Sequence, residues 1–139
     1  MTKNRSLFAA SMIALLVAAS PALALSSRTF VSGTGTDTGS CPLATPCRTF
    51  AYALTQTASN GEIIVLSSAG YGTVTITQAV SIINTSNFAG VTVASGNGIT
   101  INAGTNDSVT LRGLTVDGGG TGSNGIVFNS GSTLGRPET

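Results

Sequence analysis

The side chains able to do chemistry are few in this 139-residue sequence, and they are thinly spread. Asp107, Arg112 and Asp117 are ionisable side chains that fall within one short stretch. Arg112 and Asp117 can share an outer surface if the chain between them bends. With Leu111 and Leu114 both pointing inward, Gly113 must absorb an extra residue as a bulge or bend. A solvated arginine and an aspartate opening an Asp117-Gly118 turn are the plainer account of the same residues. Histidine is absent, and we assign no catalytic residue and no metal ligand. Asn84, Asn102 and Asn129 each follow an expected strand. They suit an internal asparagine ladder that satisfies turn backbone groups, with contacts to sugar hydroxyls as the alternative role. Tyr52, Tyr71 and Phe88 are the rings able to stack on a saccharide. Tyr71 follows Gly70 in a loop, where a ring either binds a ligand or covers the end of a core.

The first 24 residues carry the three zones of a secretory signal peptide in order. Lys3 and Arg5 make the positive start, Leu7 to Ala19 is an apolar run short of a bilayer span, and Ala22-Leu23-Ala24 provides small residues for cleavage. The mature chain is therefore expected to be secreted or periplasmic. No cysteine follows the cut to carry a lipid, and no second apolar run would hold the chain in a membrane. Cys41 and Cys47 both lie in the exported part, where a structural disulfide is the natural expectation. The loop it closes is small, so its entropic gain is modest, on the order of 2 kcal/mol. A redox pair more often has two intervening residues, and a metal site would need ligands that are missing.

Charge is sparse in the mature part. Without Lys3 and Arg5 there remain Arg28, Arg48, Arg112 and Arg136 against Asp37, Glu62, Asp107, Asp117 and Glu138, a net charge of about −1. Nucleic acid is excluded as a partner, because its binding rests on clustered lysines and arginines. A surface of Ser, Thr, Asn and Gly suits polar contacts with neutral partners.

The elements that must position these residues form a ladder of short strands from Glu62 to Asn129. Ile63 and Val65, Val74 and Ile76, Val80 and Ile82, Val91 and Val93, Ile99 and Ile101, Val109 and Leu111, Leu114 and Val116, and Ile126 and Phe128 each place two apolar residues one position apart. That is the period of a strand with one buried face. Turn residues fill the gaps, and no gap is long enough for a crossover helix. Arg28 to Ser32 reads as a first strand and Gly33 to Ser40 as a loop. Pro46 to Ala58 reads as the single helix, with Thr45 as N-cap, Pro46 in the first helical position and Asn60-Gly61 as the stop. Its apolar stripe suits it to cover the open end of the strand stack. Strand midpoints recur at roughly 8 to 12 residues, a spacing that an antiparallel sandwich also satisfies. A parallel coil is favoured by the near copies Val74-Thr75-Ile76, Val80-Ser81-Ile82, Val91-Thr92-Val93 and Ile99-Thr100-Ile101, joined by linkers of unequal length.

Several phrases of the sequence carry a resemblance. They are Arg28 to Gly33, Cys41-Pro42, Pro46-Cys47-Arg48-Thr49-Phe50, Gly61-Glu62-Ile63, Gly72-Thr73-Val74-Thr75-Ile76, and Val109 to Gly118. On these residues the chain resembles the N-terminal portion of a right-handed parallel β-helix protein of the pectin lyase-like superfamily. The resemblance implies an all-β fold: a right-handed parallel β-helix (solenoid) of about two to three coils with an N-terminal capping helix. Residues 1–24 are then the signal peptide, 25–61 the first strand, disulfide loop and capping helix, 62–134 the coils, and 135–139 an irregular tail.

Members of the superfamily that cleave acidic polysaccharides use an arginine or lysine as base and carboxylates that hold calcium. The resemblance extends those roles to Arg112 and Asp117. Its hydrolases need several aspartates and a histidine, which this chain lacks. Two functions follow as expectations. One is an exported noncatalytic β-helix module, structural or surface-binding, with a polysaccharide or a protein as its partner at the cell surface and no cofactor. The alternative is an incomplete polysaccharide lyase-like enzyme acting on acidic polysaccharide with calcium. Gly135-Arg136-Pro137-Glu138-Thr139 breaks the strand pattern. We therefore expect a truncated or frame-shifted relative of longer proteins, with an uncapped C-terminal coil edge that promotes self-association.

Overall fold

The computed structural model describes residues 24–120 and 124–135. The expected signal peptide, apart from Ala24, and the expected tail beyond Gly135 lie outside the described residues. In chain order the elements are β1 (Ser26–Val31), α1 (Phe50–Gln56), β2 (Thr57–Val65), β3 (Ala69–Gly70), β4 (Val74–Ile76), β5 (Val80–Ile83), β6 (Ala89–Thr92), β7 (Asn97–Asn102), β8 (Ser108–Arg112), β9 (Leu114–Asp117), β10 (Asn124–Ser130) and β11 (Thr133–Gly135).

Three sheets result, in the orders β1-β2-β5-β8-β11, β3-β6-β9 and β4-β7-β10. All the strand pairings among the described residues are parallel. From β2 onward, consecutive strands lie in different sheets and each strand pairs with the one three places later. An antiparallel sandwich would pair neighbours through hairpins, so that rival is ruled out. The described residues are strand-rich, with stacked parallel sheets and a single short helix among them, an all-β arrangement compatible with a β-helix. Ile63 pairs with Ile82, and Ile82 with Leu111. One turn of the stack is thus shorter than the next, with the difference taken up in the linkers.

Side chains of like position stack in columns inside the three sheets. Ile63 and Ile82 form one, Val74 with Ile99 and Ile76 with Ile101 form two more, and Ala89 and Val91 belong to those of sheet β3-β6-β9. All of these are buried. The period-two pattern of the sequence is therefore the inside-outside alternation of the strands. Burial declines toward the last strands: Leu111, Leu114 and Val116 are partly buried against the core, while Ile126 and Phe128 remain 46% and 44% exposed.

The helix is shorter than the sequence suggests and starts later. Thr49, not Thr45, is its N-cap, its side chain accepting from the Tyr52 amide. The reason lies in Cys47, which forms a parallel bridge with Val31. Its amide donates to the Phe30 carbonyl and its carbonyl accepts from the Ser32 amide, each at 2.9 Å. A residue held extended on the edge of β1 cannot also be helical, so α1 begins only after it. At the other end the chain leaves the helix directly into β2. Thr57 donates its hydroxyl to the Ala53 carbonyl at 2.7 Å and meets the buried Thr29 hydroxyl at 2.8 Å. Asn60 and Gly61 thus lie within β2, Asn60 with a positive φ of 64°, and do not supply the stop. Asp37 organises the helix start from the preceding loop. Its carboxylate accepts from the amides of Arg48 and Thr49 and from the Thr49 hydroxyl.

Cys41 and Cys47 are joined in a disulfide, and both are fully buried. The Cys41 carbonyl accepts from the Phe30 amide. The cross-linked loop therefore covers the free edge of β1, while α1 packs on β1, β2 and β4 and places Phe50, Ala53 and Leu54 in the core.

Candidate functional site

Arg112 ends β8 and Asp117 ends β9, so the two ionisable candidates belong to different sheets. Between them Gly113 adopts φ 68° and makes the corner. A side chain there would run into the backbone of Asn84 on the preceding turn, so the position requires glycine both for its dihedral and for the close approach. The bend expected at Gly113 is present, and Leu111 and Leu114 both pack against the core. Asp117 accepts from the Gly119 amide at 2.9 Å, closing its own turn. Asp107 does the same, accepting from the Gly104 amide at 2.8 Å. Arg112 is exposed. Among the described residues no three His, Cys, Asp or Glu side chains gather where a metal ion could be held.

Tyr71 is fully buried. Its ring stacks on Phe50, centroids 4.9 Å apart, the Arg48 guanidinium carbon lies 5.9 Å from its centroid, and its hydroxyl donates to the Ser67 carbonyl. A buried ring has no face to offer a saccharide, so Tyr71 is a core residue. Tyr52 is partly buried on α1 and donates to the Gly39 carbonyl, and Phe88 is exposed beside Gly90.

The three asparagines separate into two roles. Asn84 is buried, and its amide donates to the carbonyls of Asn87 and Gly113 and accepts from the Asn87 amide. It holds the same corner that Gly113 makes one turn later and is not available to a ligand. Asn102 and Asn129 lie on another sheet, where Asn129 donates to Asn102 at 2.7 Å on the outside of the molecule. The ladder is thus external, and Asn84 is not part of it. A second rung, which the sequence reading missed, joins Asn124 to Asn97 at 3.0 Å. The two rungs flank the outer face of sheet β4-β7-β10.

That face runs across all three strands of the sheet. Thr75 pairs with Thr100, and Thr100 with Val127, across its centre. On the β4 side α1 walls it, leaving a groove of about 460 Å³ whose lining includes Ala51, Leu54, Thr75, Gln78, Asn97 and Thr100. Among the described residues no ionisable side chain lines the groove. The sequence signal was present in Thr73-Val74-Thr75-Ile76-Thr77, where threonine alternates with buried aliphatics. It points outward in the same period that points the core inward.

The chain matches no protein-family model, no curated protein and no solved structure. The fold and the site therefore define it only as a strand-rich protein of stacked parallel sheets. The disulfide fits an oxidising compartment. Among the described residues no helix is long and apolar enough to cross a membrane.

Proposed function

We propose that the chain is an exported, noncatalytic module in which a right-handed parallel β-helix of the pectin lyase-like kind presents a binding surface to carbohydrate or a partner protein at the cell surface. The β-helix reading is supported by parallel pairing of every strand from β2 to β8 with the strand three places later, and right-handed crossovers are the strong rule for such connections. Export is supported by the leader-like sequence and the disulfide. The observation that carries the functional reading is the division of the surface. Arg112 and Asp117 stand on two different sheets, whereas sheet β4-β7-β10 offers a face of threonine hydroxyls with Val127 beside them, flanked by two asparagine rungs.

A direct assay separates this from a polysaccharide lyase. Incubation of the protein with polygalacturonate and calcium, followed by absorbance of the unsaturated product, is expected to give no turnover above buffer. Sustained turnover that disappears in Arg112→Ala would replace the binding reading with the lyase one. Retention on insoluble cell-wall polysaccharide or on intact cells is the positive counterpart of the test.

A further inference from the structure

We infer that the groove between α1 and the outer face of sheet β4-β7-β10 is a site for a neutral glycan chain. The inference rests on the surface-binding reading above and narrows it to one face and one ligand class.

The floor is built by strand geometry. Thr73, Thr75 and Thr77 stand two residues apart and so share one face, with neighbours roughly 6.6 Å apart along the strand. Thr100 lies beside Thr75 on the adjacent strand, about 4.8 Å away. The result is a small lattice of hydroxyls, each able to donate and to accept. Two amides at the margins are already oriented by the protein. Gln78 donates to the Thr57 carbonyl at 2.7 Å, which leaves its side-chain oxygen as an acceptor. Asn97 accepts from Asn124, which leaves its NH₂ group as a donor. Anchored groups lose little freedom when a ligand arrives.

Ligand class follows from what the groove contains and what it lacks. Ala51, exposed on α1, gives the wall a small apolar surface for the C–H face of a sugar ring, while the floor answers its hydroxyls. With no ionisable side chain among the described residues of the lining, a uronate carboxylate would give up water and meet no opposite charge there. A neutral sugar only exchanges one set of hydrogen bonds for another. A protein partner would favour an aromatic or arginine anchor, and the floor exposes neither.

The test uses the 139-residue protein, titrated by calorimetry with cellohexaose, xylohexaose, mannohexaose and hexagalacturonate. At least one neutral hexasaccharide is expected to bind saturably and more tightly than hexagalacturonate. The double variant Thr75→Val, Thr100→Val keeps shape and strand propensity while removing two hydroxyls, and should weaken that binding about tenfold. A second variant, Ala51→Arg, blocks the groove from the exposed face of α1 and should weaken it at least as much. Circular dichroism matching the unsubstituted protein establishes that both variants fold. No binding of any neutral hexasaccharide, a preference for hexagalacturonate, or an affinity unchanged in both variants would overturn the inference. If the protein still adheres to cell-wall polysaccharide or cells in those cases, the surface-binding reading stands without this site. If it adheres to neither, both fail.

Discussion

The two ends of the strand stack are built differently. At the first end, α1 lies over the mouth and buries Phe50, Ala53 and Leu54, with Tyr71 stacked on Phe50 beneath it. The disulfide loop pairs its backbone with the free edge of β1. Backbone groups and apolar side chains are thus both covered, which is what a stack of strands must achieve at an end. At the other end, Ile126 and Phe128 continue the inward-facing period yet are nearly half exposed, and among the described residues no strand pairs with the outer edges of β9, β10 and β11. The same sequence pattern is therefore core at one end and surface at the other. What makes the difference is the neighbour above, not the residue itself.

That contrast can be broken most severely at Phe50. Phe50→Ala opens a cavity under the helix and removes the ring that Tyr71 packs against, and a loss of about 3 to 5 kcal/mol is expected in chemical denaturation. Phe128→Ala, the matching change at the other end, should lose well under half as much, because most of the benefit of burial is not realised at an exposed ring. Equal losses would mean that both ends are covered alike. Next in size is the cross-link. Replacing Cys41 and Cys47 together by alanine should lower stability by about 2 kcal/mol and speed hydrogen exchange at the Phe30 and Ser32 amides, whose partners lie in the loop. If exchange is accelerated uniformly instead, the loop is not an edge cover. Asp37→Ala removes three hydrogen bonds at the start of α1. It should cost about 1 to 2 kcal/mol, in the range of other N-cap losses, with Asp37→Asn losing less because it retains an acceptor.

How far these features were legible depends on whether their cause is local. The inward columns were readable because alternation of apolar residues is a property of each strand alone, as in Val74-Thr75-Ile76. The bend at Gly113 was readable because Leu111 and Leu114 cannot both face inward without it. Helix boundaries were not, since the start of α1 is set by the pairing of Cys47 with Val31, sixteen residues away in sequence. A local N-cap signal at Thr45 was overridden by that contact. Asn84 and Asn102 looked equivalent because each follows a strand. They fall at different corners of the stack, a distinction that exists only once β5 and β7 are assigned to different sheets. The neutral face was half visible: the threonines could be seen, but the α1 wall that turns a face into a groove could not.

The smallest effect on stability belongs to the exposed end, and there the sharper readout is association. We predict that the 139-residue protein self-associates through β9, β10 and β11, because exposed apolar residues beside strand edges that no described strand pairs invite pairing with another chain. Head-to-tail growth would require the partner's first end, which α1 and the disulfide loop already cover. Contact between two like ends remains, and an interface of that kind closes on itself as a dimer. Sedimentation should therefore give a concentration-dependent monomer and dimer rather than open filaments. Phe128→Lys places a like charge on both sides of the interface and should shift the protein to monomer while altering its unfolding free energy by less than about 1 kcal/mol. A protein that sediments as a monomer at all concentrations would show that its exposed end is not sticky, and filaments would show that its first end is less closed than its packing indicates.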